Sequence, residues 1–181
     1  NAAIDSSKEA ITLCITMMGV MSFWVGLMEI ATKAGIIKSV SKKMRPIIRF
    51  LFPRLPPDHP AAEHITTNMI ANILGLGWAA TPAGLKAMDG LAELERERGN
   101  PEYQDKKRLL GGASKGRTAS NEMCTFLIIN ISSLQLIPVN IIAYRSQYGS
   151  VNPAAIVGAA IVATSISTLA GVIYAKLMDR K

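Results

Sequence analysis

Hydrophobic and polar positions alternate along this chain in long blocks. Four blocks carry no Asp, Glu, Lys, Arg or His: residues 10–28, 65–85, 123–144 and 146–175, of 19, 21, 22 and 30 residues. A helix crosses the hydrocarbon core of a bilayer with roughly 20 apolar residues. All four blocks are long enough, and together they cover about half of the chain. The pattern predicts an all-α integral membrane protein. It should have about three transmembrane helices, a cytoplasm-side re-entrant broken-helix hairpin and an amphipathic interfacial helix.

The elements follow in order within a single membrane domain spanning residues 1–181. The first is a transmembrane helix over 8–33, with Gly19 and Gly26 as small contact faces and a Glu29–Lys33 pair one turn apart near its end. Over 35–53, Ile37, Val40, Met44, Ile47, Ile48 and Leu51 recur at helical spacing, and Lys38, Lys42, Lys43, Arg45 and Arg49 fall largely on the other side. That is an amphipathic helix lying in the membrane interface, with a kink expected at Pro46. A rigid connector, PRLPPDHP, leads to the re-entrant segment over 62–90, followed by a charged linker over 92–118. Transmembrane helices are predicted over 119–144 and 153–176. The earlier one is dotted with Asn121, Asn130, Ser132, Ser133, Gln135 and Asn140; the later one is smoother and rich in small residues. The chain starts at Asn1, without an initiator Met or a signal-peptide pattern, so a segment upstream of it is expected.

Charge decides which blocks cross. Residues 38–54 hold six Lys/Arg and no acidic residue, and residues 93–117 hold seven Lys/Arg against five Asp/Glu. The C-terminus adds Lys176, Arg180 and Lys181, whereas the connector after Tyr144 has only Arg145. Cytoplasmic loops collect Lys and Arg. If residues 65–85 crossed fully, the seven-cation linker would lie outside. If they dip in and return, all the basic regions share the cytoplasmic side. The expectation is a multi-pass membrane protein, with this chain's N-terminus outside and its C-terminus cytoplasmic.

The re-entrant stretch reads NMIANILGLGWAATPAGLKAM. Gly75 and Gly77 weaken a helix, and Thr81-Pro82 is expected to break it again. Irregular backbone survives at membrane depth only inside protein or against a cavity, and transporters use such breaks at substrate sites. Asn68 and Asn72 are one turn apart on one face, with Thr67 adjacent, while Asn130 and Ser133 share a face of the later helix. These polar rows suit either a ligand pocket or helix–helix hydrogen bonding.

The remaining chemistry narrows the classes. A net charge of +7 and a pI near 9.6 are accounted for by the basic loops, so no nucleic-acid partner is expected. Cys14 and Cys124 lie far apart in apolar blocks and read as buried, inert thiols. His59 and His64 are five residues apart, poor spacing for two ligands on one helix face. GGASKGRTAS lacks the Lys-Ser/Thr that closes a phosphate loop and reads as flexible linker. With no Ser/His/Asp set, no paired carboxylates at membrane depth and no ligand cluster, a non-enzyme is expected, with no catalytic residue, metal site or cofactor.

At the NMIANILGLGWAATPAGLKAM stretch the chain resembles the spore-maturation group of the Gate (nucleoside recognition) membrane family, whose signature is N-x-x-A-N-x-x-G-L-G-N-A-A-T-P-x-G-x-K-A-M. GVMSFWVGLMEIATKAGI, MRPIIRFLFPRLPPDHPA and TFLIINISSLQLIPVNIIAYR extend the likeness over nearly all of the chain. Trp78 departs from it, standing where the signature has Asn. An indole donates one hydrogen bond and accepts none, so a contact or cap made by that Asn does not carry over.

The resemblance implies a bacterial cell-membrane protein, with a further transmembrane helix before the position of Ala2, and a role in endospore maturation, in core dehydration or cortex maturation. It also implies one half of a small-solute transport pathway, completed by an inverted Gate partner, spore maturation protein B, or by a second copy. The implied pocket residues are Asn68, Asn72, Gly75, Gly77, Trp78, Thr81, Asn130, Ser132 and Ser133, facing an unknown small solute within the lipid bilayer. Two other readings stay open. One is a non-transporting assembly or scaffold protein. The other is a nucleoside- or metal-permease-like Gate subunit in a bacterium that does not sporulate.

Overall fold

The computed structural model describes residues 2–75, 77–104, 117–132 and 134–179, and the regular structure among them is helical throughout. The first helix, α1 (Ala2–Lys33), ends in the predicted Lys33–Glu29 ion pair of 3.3 Å, and Gly35 at φ 76° turns the chain into α2 (Ile36–Leu51). A left-handed residue without a Cβ makes that two-residue corner possible. After the proline-rich connector come α3 (Pro60–Ile73) and α4 (Gly77–Glu97), then a short α5 (Pro101–Gln104). The chain continues through α6 (Asn121–Ser132), α7 (Val139–Gln147), a single 3-10 turn (Pro153–Ala155) and α8 (Ile156–Met178).

Two stretches are long and apolar enough to cross a membrane, Ala3–Leu27 in α1 and Pro153–Met178 ending in α8, with mean hydropathies of 1.9 and 2.1. Neither is buried within the chain. Ile15, Met18 and Phe23 of α1 and Ile166 and Leu169 of α8 are all exposed. Uncovered apolar surface of this extent is what a bilayer covers.

Helices α3 and α4 form an antiparallel hairpin. A Cβ on Gly90 would lie 3.0 Å from the Ala61 Cβ, and one on Gly84 would lie 2.9 Å from Asn68 Nδ2, so two glycines let the arms close up. The core sits at the open end of this hairpin. Ile48, Leu51 and Phe52 from α2 and the connector meet Ile65 of α3, Leu91 and Leu94 of α4, and Met123 and Phe126 of α6. His59 caps α3 by accepting from the Ala61 backbone N–H through Nδ1, and its Nε2 lies 3.6 Å from Glu97.

The hairpin turns at Gly75, whose φ is 78° and whose N–H donates to the Asn72 carbonyl at 2.9 Å. Thr81-Pro82 does not break the chain a second time. Pro82 lies inside α4, which runs unbroken through it. Proline removes one backbone donor, here the one that would meet the Trp78 carbonyl, but packing along α3 holds the helix on either side. Nor is 119–144 one helix. It is α6 and α7, with residues 134–138 non-helical between them. Pro138, at the N-terminal boundary of α7, supplies the reason, because the residue before a proline is pushed out of the helical region.

The two breaks meet. Leu136 N–H donates to the Ile73 carbonyl at 2.8 Å, one of the carbonyls the end of α3 leaves without a helical partner. Gly75 packs so closely on the Ile137 carbonyl that a Cβ would sit 1.9 Å from its oxygen. Helices α6 and α8 run antiparallel, tied by Ser132 to Thr168 (3.0 Å) and by Asn121 to Asp179 (3.0 Å). Thr168 is residue 13 of the 23 in α8. The hairpin tip therefore lies close to the middle of a helix long enough to span a membrane.

At the other end a polar network gathers the connector, α4, α6 and α8. Arg98 bridges Glu95 (2.7 Å) and the buried Glu122 (2.8 Å) and donates to the Arg54 carbonyl (2.8 Å). Arg54 in turn pairs with Asp179 at 3.2 Å. Hydrogen bonding to Glu122 is the largest cause holding the Arg98 pKa above its usual value. Helix α4 thus continues into the segment expected as linker, α5 lies within it too, and residues 105–116 of it, with most of GGASKGRTAS, fall outside the described residues. Cys14 and Cys124 are free and exposed rather than buried, because each points off the outside of its helix.

Candidate functional site

Below the crossed breaks lies a ladder of three asparagines. Asn68 and Asn72 are four apart in α3 and so share a face, which looks toward α4 and α6. Asn68 is buried and donates through Nδ2 to the Ala80 carbonyl at 2.9 Å. Asn130 of α6 donates through its own Nδ2 to the Phe126 carbonyl at 2.9 Å. Both amides are thereby oriented, since the nitrogen must face the carbonyl and the oxygen must face the other way. Asn72 lies between the two oxygens. Its Nδ2 donates to Asn68 Oδ1 at 3.2 Å and to Asn130 Oδ1 at 2.8 Å. Asn72 Oδ1 is left as an acceptor with no protein donor among the described residues.

The ladder forms the polar wall of an open cleft of about 250 Å³ between the hairpin and α6. Thr81 and the backbone at Gly77 and Gly84 continue that wall, and Leu85, Met88 and Phe126 face it. None of the described residues lining it is charged. An uncharged cleft with amides on one side and aliphatic and aromatic carbon on the other suits a neutral polar solute. It places a spare acceptor, Asn72 Oδ1, to receive an N–H or O–H from that solute. Thr81 is exposed, and its hydroxyl donates to the Gly77 carbonyl at 3.2 Å, leaving its lone pairs available.

The structure brings together five of the expected residues, Asn68, Asn72, Gly77, Thr81 and Asn130. It places two elsewhere. Gly75 is at the hairpin tip, where it permits the contact with Ile137. Ser132 belongs to the α6–α8 seam instead of the cleft, because its hydroxyl bonds the Ile129 carbonyl at 2.7 Å and Thr168 at 3.0 Å. Thr67 points away, its hydroxyl bonded to the Glu63 carbonyl. Ser133 and the side chain of Trp78 lie outside the described residues. The sequence reading missed Gly84, whose missing Cβ makes room for the Asn68 amide, and Phe126, which supplies the carbonyl that orients Asn130. Spacing carried both signals: Gly84 is three residues after Thr81, and Phe126 four before Asn130.

A broken-helix hairpin meeting a second broken helix, with an amide ladder beneath the crossing and an open, largely apolar cleft beside it, defines an all-α membrane protein. The chain belongs to the Gate family, described as nucleoside recognition, whose pattern matches residues 14–180. It is similar to spore maturation protein A of Bacillus subtilis (strain 168), with 43% identity over 172 residues, 95% of this chain and 79% of that protein. No solved structure matches it.

Proposed function

We propose that this chain is a sporulation-related membrane protein that forms one half of a path for an uncharged, polar small solute. The uncharged cleft at the Asn68–Asn72–Asn130 ladder, with its unused acceptor on Asn72, carries this reading. The cleft is open along one side, which asks for a second wall. An inverted Gate partner, spore maturation protein B, or a second copy of this chain would supply it. In the membrane, α1, α6–α7 and α8 cross, and the α3–α4 hairpin enters from the cytoplasmic side and returns. The antiparallel hairpin and its tip near the middle of α8 support that placement, as does the positive-inside bias of residues 38–54.

A second reading rests on a different observation. Every amide group of the ladder except Asn72 Oδ1 is satisfied within the chain, which is also what a hydrogen-bonded packing seam requires. The two readings separate in a Bacillus subtilis strain lacking spore maturation protein A, complemented with this chain. Asn72→Ala should leave membrane insertion and recovery of the partner complex intact while abolishing spore maturation, read as core water content. Loss of the complex would favour the packing seam, and normal spores from an intact complex would exclude the solute path.

A further inference from the structure

Helix α2 has three faces, and only one is used inside the chain. Met44, Ile48 and Leu51 are buried against the hairpin and the connector. By helical periodicity, Ile36, Val40, Ile47 and Phe50 form a second, exposed strip beside that face, and Lys42, Arg45 and Arg49 lie on the side opposite the strip. The exposed Lys43 falls within the apolar strip, seven residues from both Ile36 and Phe50. Residues 36–51 contain five Lys/Arg and no acidic residue.

Both ends of α2 are pinned to the ends of the two helices that carry the candidate membrane spans. At its start, the corner at Gly35 joins it directly to α1. At its finish, the Lys176 ammonium of α8 sits over the Phe50 ring at 4.8 Å, and Arg54 just beyond pairs with Asp179 just after α8. A helix of 16 residues, about 24 Å long, therefore runs from the exit of one span to the exit of the other. It has to lie along the membrane face.

From this we infer that the exposed face of α2 is a docking surface for anionic phospholipid headgroups. The apolar strip seats the helix at the acyl boundary. A helix is about 10 Å across, so the basic side chains stay within about one Debye length of the headgroups, and long Lys and Arg stems reach back toward them. The surface potential of anionic lipid acts over that range, and no acidic side chain on α2 opposes it.

The test uses the full chain with Cys14→Ser and Cys124→Ser, a fluorophore on Ile47→Cys, and nanodiscs of phosphatidylcholine doped with a doxyl-labelled lipid. Doxyl-phosphatidylglycerol should quench about twofold more than doxyl-phosphatidylcholine at low salt. That preference should vanish at about 1 M salt, where the screening length is about 3 Å. It should vanish also in the Lys42→Gln, Lys43→Gln, Arg45→Gln, Arg49→Gln variant, with the residual quenching retained. Equal quenching by the two lipids at low salt would overturn the inference. So would the absence of quenching by either, which would mean that a protein partner covers the strip.

Discussion

The Asn72 amide donates to Asn68 Oδ1 at 3.2 Å and to Asn130 Oδ1 at 2.8 Å, joining the hairpin to α6 just below the level where both helical segments are broken. The direction of the ladder follows from its ends, where the Ala80 and Phe126 carbonyls each capture one NH₂ group. Removing a single side chain from such a seam costs little when its neighbours find other partners. A cycle of Asn72→Ala, Asn130→Ala and the double variant should give a coupling of about 0.6 kcal/mol, within the range for hydrogen bonds between membrane helices. Reversible unfolding in mixed detergent would measure it. The functional loss at Asn72 should far exceed that cost.

Gly75→Ala should be among the most damaging substitutions. The new Cβ would overlap the Ile137 carbonyl, 1.9 Å away, and the backbone φ of 78° disfavours any L side chain. Strain at such a position costs about 1–3 kcal/mol before the clash is counted. The variant should be poorly recovered from membranes, and thermal unfolding of what is recovered should show a lower midpoint. Gly77→Ala, where a Cβ meets nothing within 4 Å, is the control and should be well tolerated.

Gly84→Ala separates the site from the fold. Its Cβ would come within 2.9 Å of Asn68 Nδ2, a side-chain group that can rotate, so the hairpin should survive. The rotation would break the bond to the Ala80 carbonyl and disorder the ladder. Near-normal expression with strongly reduced function in the spore assay is expected. Gly90→Ala, which would press instead on Ala61, should lower stability with less effect on function per unit of stability lost.

The Arg98–Glu122 pair should behave as a clamp whose partners are costly to separate. Glu122 has a side chain only 5% exposed, so Arg98→Met strands a buried carboxylate. The cost should fall toward the lower end of the roughly 3–5 kcal/mol seen for broken buried pairs, because the Arg98 side chain keeps 33% exposure to solvent. Replacing both, Arg98→Met with Glu122→Leu, should recover much of that stability. A double variant no better than the single one would show that the pair's other bonds, to Glu95 and the Arg54 carbonyl, dominate.

Much of the fold was legible because a bilayer imposes long uncharged blocks and loops sort their cations. The Glu29–Lys33 pair, the α2 corner and the turn at Gly75 were all local signals. Two proline readings failed in opposite directions. Pro82 reads as a breaker but sits inside α4, held by packing on α3; Pro138 stands inside the span expected over 119–144, and the chain is non-helical over the residues before it. The outcome at a proline depends on what packs beside it, which the local sequence does not contain. The asparagines of the site were visible for the same periodic reason as any helical face. Ser132 was misplaced because its distance from Thr168, 36 residues on, is a tertiary fact. The Arg98–Glu122 clamp joins residues 24 apart, with residues outside regular structure between them, and left no local trace.

The most direct test of a hydrated half-site is chemical access to it in the chain alone. In nanodiscs, with Cys14→Ser and Cys124→Ser, a cysteine at Thr81 faces the cleft, and one at the exposed Ile166 faces lipid from the apolar surface of α8. A charged, water-soluble thiol reagent should modify Thr81→Cys readily and leave Ile166→Cys untouched, with Asn72→Leu slowing the reaction at position 81. If position 81 were as inert as position 166, the cleft would hold no water at that depth, and the asparagine ladder would be a packing seam.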